Sequence, residues 1–141
     1  MLVAACGSSL NGLATGGAST VYVLQTAISV CTVLEFSANS KGNQNPPALT
    51  LPANFAAWSI AVDGAGLIYV GGNSNAGSEV LVYGAGASGS PQPLKVITST
   101  LNSFVDPEAL AVDDAGQLYV GGESSIAVYS PRRMGPLHRC A

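Results

Sequence analysis

The stretch Leu110 to Gly122, LAVDDAGQLYVGG, restates Ile60 to Gly72, IAVDGAGLIYVGG, and this internal repeat constrains the fold more than any other feature of the chain. Each copy holds two short runs rich in apolar and β-branched residues, one on either side of an Asp-x-Ala-Gly turn signal. That pattern reads as strand, turn, strand. A hairpin of this kind cannot bury its own faces, so a motif recurring at an interval of about 20–50 residues points to stacked units of one design.

Looser copies extend the register towards the amino terminus. Val21-Tyr22-Val23 aligns with Ile68-Tyr69-Val70 at an offset of 47. The same offset carries Val33-Leu34-Glu35-Phe36 onto Val80-Leu81-Val82-Tyr83 and Asn45-Pro46-Pro47 onto Gln92-Pro93-Leu94. The unit is therefore written as four strands, a to d. In the central copy they are expected at 59–62, 67–70, 79–83 and 94–98; the third copy supplies a to c at 109–112, 117–120 and 125–129, and the first supplies b to d.

Four-stranded antiparallel units repeated around an axis are propeller blades. The expected fold is all-β, with about three such units forming an open or partial β-propeller-type domain. The blades are placed at about 21–57, 58–107 and 108–130, after a start and flexible tether at 1–20 and before an irregular tail at 131–141.

The pattern apolar-A-V-D-x-x-G-x-apolar-Y-V, met at Ile60–Val70 and Leu110–Val120, resembles NHL-type and gluconolactonase-like propeller repeats. The resemblance implies closure with about six blades, inside the usual propeller range, and binding on the side of the d–a and b–c loops. Three blades then read as part of a longer propeller or as a half-propeller that assembles, with a homodimer completing the ring as one expectation.

On that side the candidate ligand-binding residues are Asn73 and Asn75 in one b–c loop, Glu123 in the next, and Asn102, Asp106 and Glu108 in the d–a connection. Trp58, just before strand a, could stack on a sugar, although blade-to-blade packing is the commoner role for so large an aromatic. Asp63, Asp113 and Asp114 sit in the repeat itself. An Asp opening a four-residue turn accepts backbone N–H bonds, and a Gly at its fourth place permits φ > 0, so these acids are read as turn formers ahead of metal ligands. Tyr69, Tyr83, Tyr119 and Tyr129 recur in register and read as packing residues.

Composition narrows the function classes. Charged residues are 9% of the chain and glycines number 17, which suits strands and tight turns. Two lysines stand against all eight acids up to residue 131, and the three arginines follow in the tail, so no basic patch suited to nucleic acid exists in the body. The most apolar stretch, Val21 to Phe36, is broken by Gln25, Thr26, Ser29, Thr32 and Glu35 and does not read as a membrane span. The single histidine, His138, lies in the tail, and neither GxSxG nor GK[ST] is present. No catalytic residue, cofactor or metal set is assigned.

The resulting functional expectation is a non-catalytic scaffold presenting loops to a protein or glycan partner. The alternative is a fragment of a metal-dependent lactone hydrolase, in which Asn102, Asp106 and Glu108 would supply a few of the six or more oxygens a hard cation takes.

Val3-Ala4-Ala5-Cys6, followed by Gly7-Ser8-Ser9, resembles the lipobox of bacterial lipoproteins and implies lipidation at Cys6 and an extracytoplasmic, membrane-anchored location. Five residues precede Cys6, short of the basic and apolar segments of a full signal, so the alternatives are a truncated start and a frayed terminus. Cys31, on an expected strand, is read as a small buried hydrophobe; with Cys6 and Cys140 it allows at most one disulfide.

Overall fold

A computed structural model describes residues 9–16, 20–26, 30–37, 39–42, 46–99 and 103–130, and among these the chain is all-β, with no helix. The first sheet is formed by β1 (Ser9–Gly16), β2 (Thr20–Thr26), β3 (Cys31–Ser37) and β4 (Ala48–Thr50). The second is β5 (Ala56–Val62), β6 (Ile68–Ser74), β7 (Gly77–Tyr83) and β8 (Lys95–Thr98). The third is β9 (Ala109–Val112), β10 (Leu118–Gly121) and β11 (Ile126–Tyr129). In each sheet neighbouring strands are sequential and antiparallel.

The three sheets stack as blades. Their first strands approach one another in turn, β1 beside β5 and β5 beside β9. Between the first two blades, Tyr22, Leu24, Val33 and Leu49 meet Ile60, Ile68, Val70, Leu81 and Tyr83 in one apolar cluster. Between the second and third, Tyr69, Val80, Val82 and Ile97 meet Leu118 and Val120 in another, closed by Phe104 from the connection. The alternate faces of the middle strands therefore feed two different cores, which is why Ile68–Gly72 and Glu79–Tyr83 are buried at every position. At the rim, the loop after β7 reaches back to β4: Thr50 N–H donates to the Gly89 carbonyl (2.6 Å) and Gly89 N–H to that of Ala48 (2.9 Å).

Two boundaries differ from the sequence reading. Ser9–Gly16, expected within the flexible tether, is strand β1 and completes the first blade. Its Gly, Ser and Asn content hid a strand whose backbone bonds to β2 hold it in place. Ala56 and Ala57, expected at the end of the first blade, open β5 and pair with Asn73 and Gly72 of the second. Cys31 is fully buried, as expected, and it is disulfide-bonded, within the one disulfide that three cysteines allow. Cys6, Cys140 and the rest of the 131–141 tail, His138 included, lie outside the described residues.

Candidate functional site

The repeated hairpin resolves into a closed hydrogen-bonding device. Asp63 Oδ1 accepts from the N–H groups of Ala65 and Leu67 (both 2.9 Å), and Oδ2 accepts the Tyr69 hydroxyl proton (3.1 Å). Gly66 N–H donates to the Asp63 carbonyl (3.0 Å), and Gly66 has φ 87°, the left-handed residue that follows a type I turn in a three-residue hairpin loop. Fifty residues later Asp113 accepts from Gln117 N–H (2.8 Å) and from the Tyr119 hydroxyl (3.0 Å), with Gly116 at φ 78°.

Asp63 and Asp113 are thus each occupied by their own turn. The bond from Gln117 N–H, aided by the Tyr119 hydroxyl, holds the Asp113 carboxyl below the ordinary carboxylate range, and the same carboxylate raises the Tyr119 phenol. Burial, then the Asp63 charge, raises the Tyr69 phenol as well. Expected as packing residues only, Tyr69 and Tyr119 also anchor the turns; the Asp-to-Tyr spacing of six was the signal.

At the opposite end of the blades the d–a connection folds over the b–c turns. Asn73, at the end of β6, donates from Nδ2 to Asp106 Oδ1 at 2.7 Å. Asp106 stands at φ 50°, a left-handed conformation that costs a non-glycine residue about 1 kcal/mol or more. It is held there by Asn73 and by its own N–H, which donates to Ser78 Oγ (3.1 Å). Next in line, Ser59 Oγ donates to the Pro107 carbonyl at 2.5 Å, and Glu123 N–H donates to that of Val105 at 3.1 Å. The connection is therefore sewn to both blades.

The paired glycines that close each motif make this approach feasible, a role the sequence reading left without explanation. A Cβ on Gly71 would lie 2.5 Å from Ser59 Oγ and 3.1 Å from Pro107. One on Gly72 would collide with the Ala56 carbonyl and the Phe55 ring, and one on Gly122 with the Val105 carbonyl.

Of the residues nominated from sequence, Asn73 and Asp106 are brought into direct contact. Asn75 and Glu123 are exposed at the two b–c turns, and Glu108 is exposed beside β9; Asn102 lies outside the described residues. Trp58 occupies a β-bulge between Ala57 and Ser59, at the same end of β5 that pairs with Gly72 and Asn73. It is partly buried and belongs to neither apolar cluster; Phe55 fills the blade junction that Trp58 was expected to fill.

Two buried polar atoms at this end have no hydrogen-bond partner: the Trp58 indole N–H, a donor, and Asn73 Oδ1, an acceptor. Orphaned groups of this kind cost roughly 1–3 kcal/mol each. Among the described residues, no group of three or more His, Cys, Asp or Glu could hold a metal ion, and no helix is long and apolar enough to cross a membrane. Neither a protein-family model nor a curated protein matches the chain.

Proposed function

We propose that the chain is a partial NHL-type β-propeller acting as a non-catalytic, exported binding scaffold. A neutral, hydroxyl-rich ligand such as a glycan docks at the end of the central blade where Trp58 and Asn73 lie, and a second copy of the chain is a further partner. The observation that carries this reading is the pair of unmatched buried groups, one donor and one acceptor, at the end where the d–a connection meets the b–c turn. A sugar hydroxyl both donates and accepts, and an indole supplies a flat apolar platform for a sugar ring. An anionic ligand fits less well, because Asp106 already borders the site.

Export is supported by the disulfide at buried Cys31, since such bonds persist in oxidising compartments. Lipidation of Cys6 would leave Cys140 as the only cysteine able to pair with Cys31. Mass spectrometry of the product expressed with its native upstream region tests both points: a diacylglyceryl adduct on Cys6 with a Cys31–Cys140 crosslink is expected, and a Cys6–Cys31 crosslink ends the anchor.

Glycan-array binding tests the ligand. Binding that Trp58→Phe weakens roughly tenfold, by removing the indole donor while keeping an aromatic ring, is the expected result. An array with no hit, or a hit indifferent to both Trp58→Phe and Asn73→Ala, overturns the glycan assignment.

A further inference from the structure

Among the described residues, each end blade leaves one face uncovered, and the register of the strands says what each face is shaped to receive. In the third blade, Tyr119 pairs with Ala111 and Val128, as Tyr69 pairs with Ala61 and Val82 in the second. Ile126 lies opposite Gly121, as Val80 lies opposite Gly71. The free face of the third blade, Ala111, Tyr119, Ile126 and Val128, therefore repeats the face of the second blade that the third covers. Val80 there is 0% exposed, whereas Ile126 is 75% exposed.

The first blade carries the opposite half. Val21 pairs with Phe36 and Val23 with Leu34, as Ile68 pairs with Tyr83 and Val70 with Leu81. In the second blade those four residues form the face packed against the blade before it. In the first blade their counterparts belong to neither buried cluster, and strand alternation puts them on the side away from Tyr22, Leu24 and Val33. One chain thus presents both sides of a contact that it already makes twice internally, at opposite ends of the row.

The geometry points to a head-to-tail dimer, in which the free face of the third blade of each copy packs on the free face of the first blade of the other. A heterologous contact made twice closes a two-fold ring. The described residues of each copy form three blades, and twice three falls inside the usual propeller range of about four to eight. Such a ring rests on the scaffold reading of the blades and is independent of what the loops bind. It also covers apolar surface that would otherwise invite open-ended association.

Sedimentation equilibrium of the full chain at micromolar concentration is expected to give twice the 14.1 kDa chain mass. Ile126→Glu on one face and Leu34→Glu on the other should each weaken association by roughly thirtyfold or more. In a mixture of the two variants one contact has both faces wild type and the other carries both substitutions, so a 1:1 pair should form through the intact contact, more weakly than the wild-type dimer. Unchanged circular dichroism and melting of each dilute variant establish that the fold survives; if Leu34→Glu does not fold, Phe36→Lys at the strand's end takes its place. A wild-type monomer, a species that grows beyond the dimer with concentration, or association lost in Ile126→Glu but intact in the first-blade variant would overturn the ring. A monomer that still binds the glycan through Trp58 would remove the ring and leave the scaffold reading standing.

Discussion

The second and third blades share a turn, a register and most of a motif, yet their strands live in different surroundings. In β6 the first five residues are all buried, while β10 alternates between buried and partly buried. β7 is buried through its last five residues, whereas its counterpart β11 is exposed at Ile126 and only partly buried after it. Local sequence sets the hairpin in both; burial comes from having a blade on each side. The same residue type therefore carries a different energetic weight in the two blades, and substitutions at matched positions measure that difference.

The largest contrast is expected at the first glycine of each pair. Gly71→Ala places a Cβ against Ser59 Oγ and Pro107, with no room unless the connection moves, and should destabilise by about 3 kcal/mol in chemical denaturation. At Gly121 the new Cβ meets Ala109 Cβ at 3.4 Å, an ordinary contact. Neither glycine has a positive φ, so Gly121→Ala should be neutral or stabilise by up to about 1 kcal/mol through reduced unfolded-state entropy. Equal losses at both sites would show that the connection does not bear on Gly71 as described.

Next is the matched pair Val80 and Ile126. Val80→Ala removes two methyl groups from a site with no exposure and should cost roughly 2 kcal/mol, from lost transfer energy and the cavity left behind. Ile126→Ala, measured in dilute protein, should stay within about 0.5 kcal/mol despite removing more carbon. A cost at Ile126 that appears only as concentration rises would sharpen the contrast, because it would locate the missing neighbour on that face.

These pairs also mark what was legible in the sequence. The Asp-x-x-Gly turns and the third-blade strand β9 at 109–112 follow from turn chemistry and alternation, which act over a few residues. Strand β1 was illegible because its composition is that of a loop and only its pairing with β2 makes it a strand. The bulge at Trp58 and the left-handed Asp106 were illegible for a related reason. Both are fixed by chain segments that meet across long separations, Asp106 by Asn73 and Ser78. The nomination of Asn73 and Asp106 from loop order alone named the two partners, while their bond and the orphaned carbonyl beside it emerged only with the side chains in place.

A smaller difference is expected between the two turn tyrosines. Tyr69→Phe keeps the ring, which is 1% exposed, and deletes the hydroxyl bond to Asp63, for a loss of about 1 kcal/mol. Tyr119→Phe deletes the equivalent bond to Asp113 in a blade open on one side, where water replaces the lost partner, and should cost less. Thermal melts of the two variants under one set of conditions check the order, and a larger loss at Tyr119 would contradict it.

The smallest effect is a pH dependence at the third-blade turn. The Asp113 carboxyl is held below its ordinary value of 3.8, first by Gln117 N–H and then by the Tyr119 hydroxyl. A lowered folded-state value means that the ionised form is favoured by folding, so the stabilisation is complete above the unfolded value and fades as pH falls through the folded one. Tyr119 gives the mirror image: its raised value makes a contribution that is complete below 10.0 and is lost as pH rises through the folded value. Asp113→Asn keeps an amide oxygen as acceptor and removes only the charge. Melting temperatures from about pH 2 to pH 7 should therefore show the wild type ahead of the variant above about pH 4, with the gap closing on the acid side. Curves that run parallel through that window would mean that the turn is held by its hydrogen-bond geometry alone, and that the charge of Asp113 contributes nothing the amide cannot.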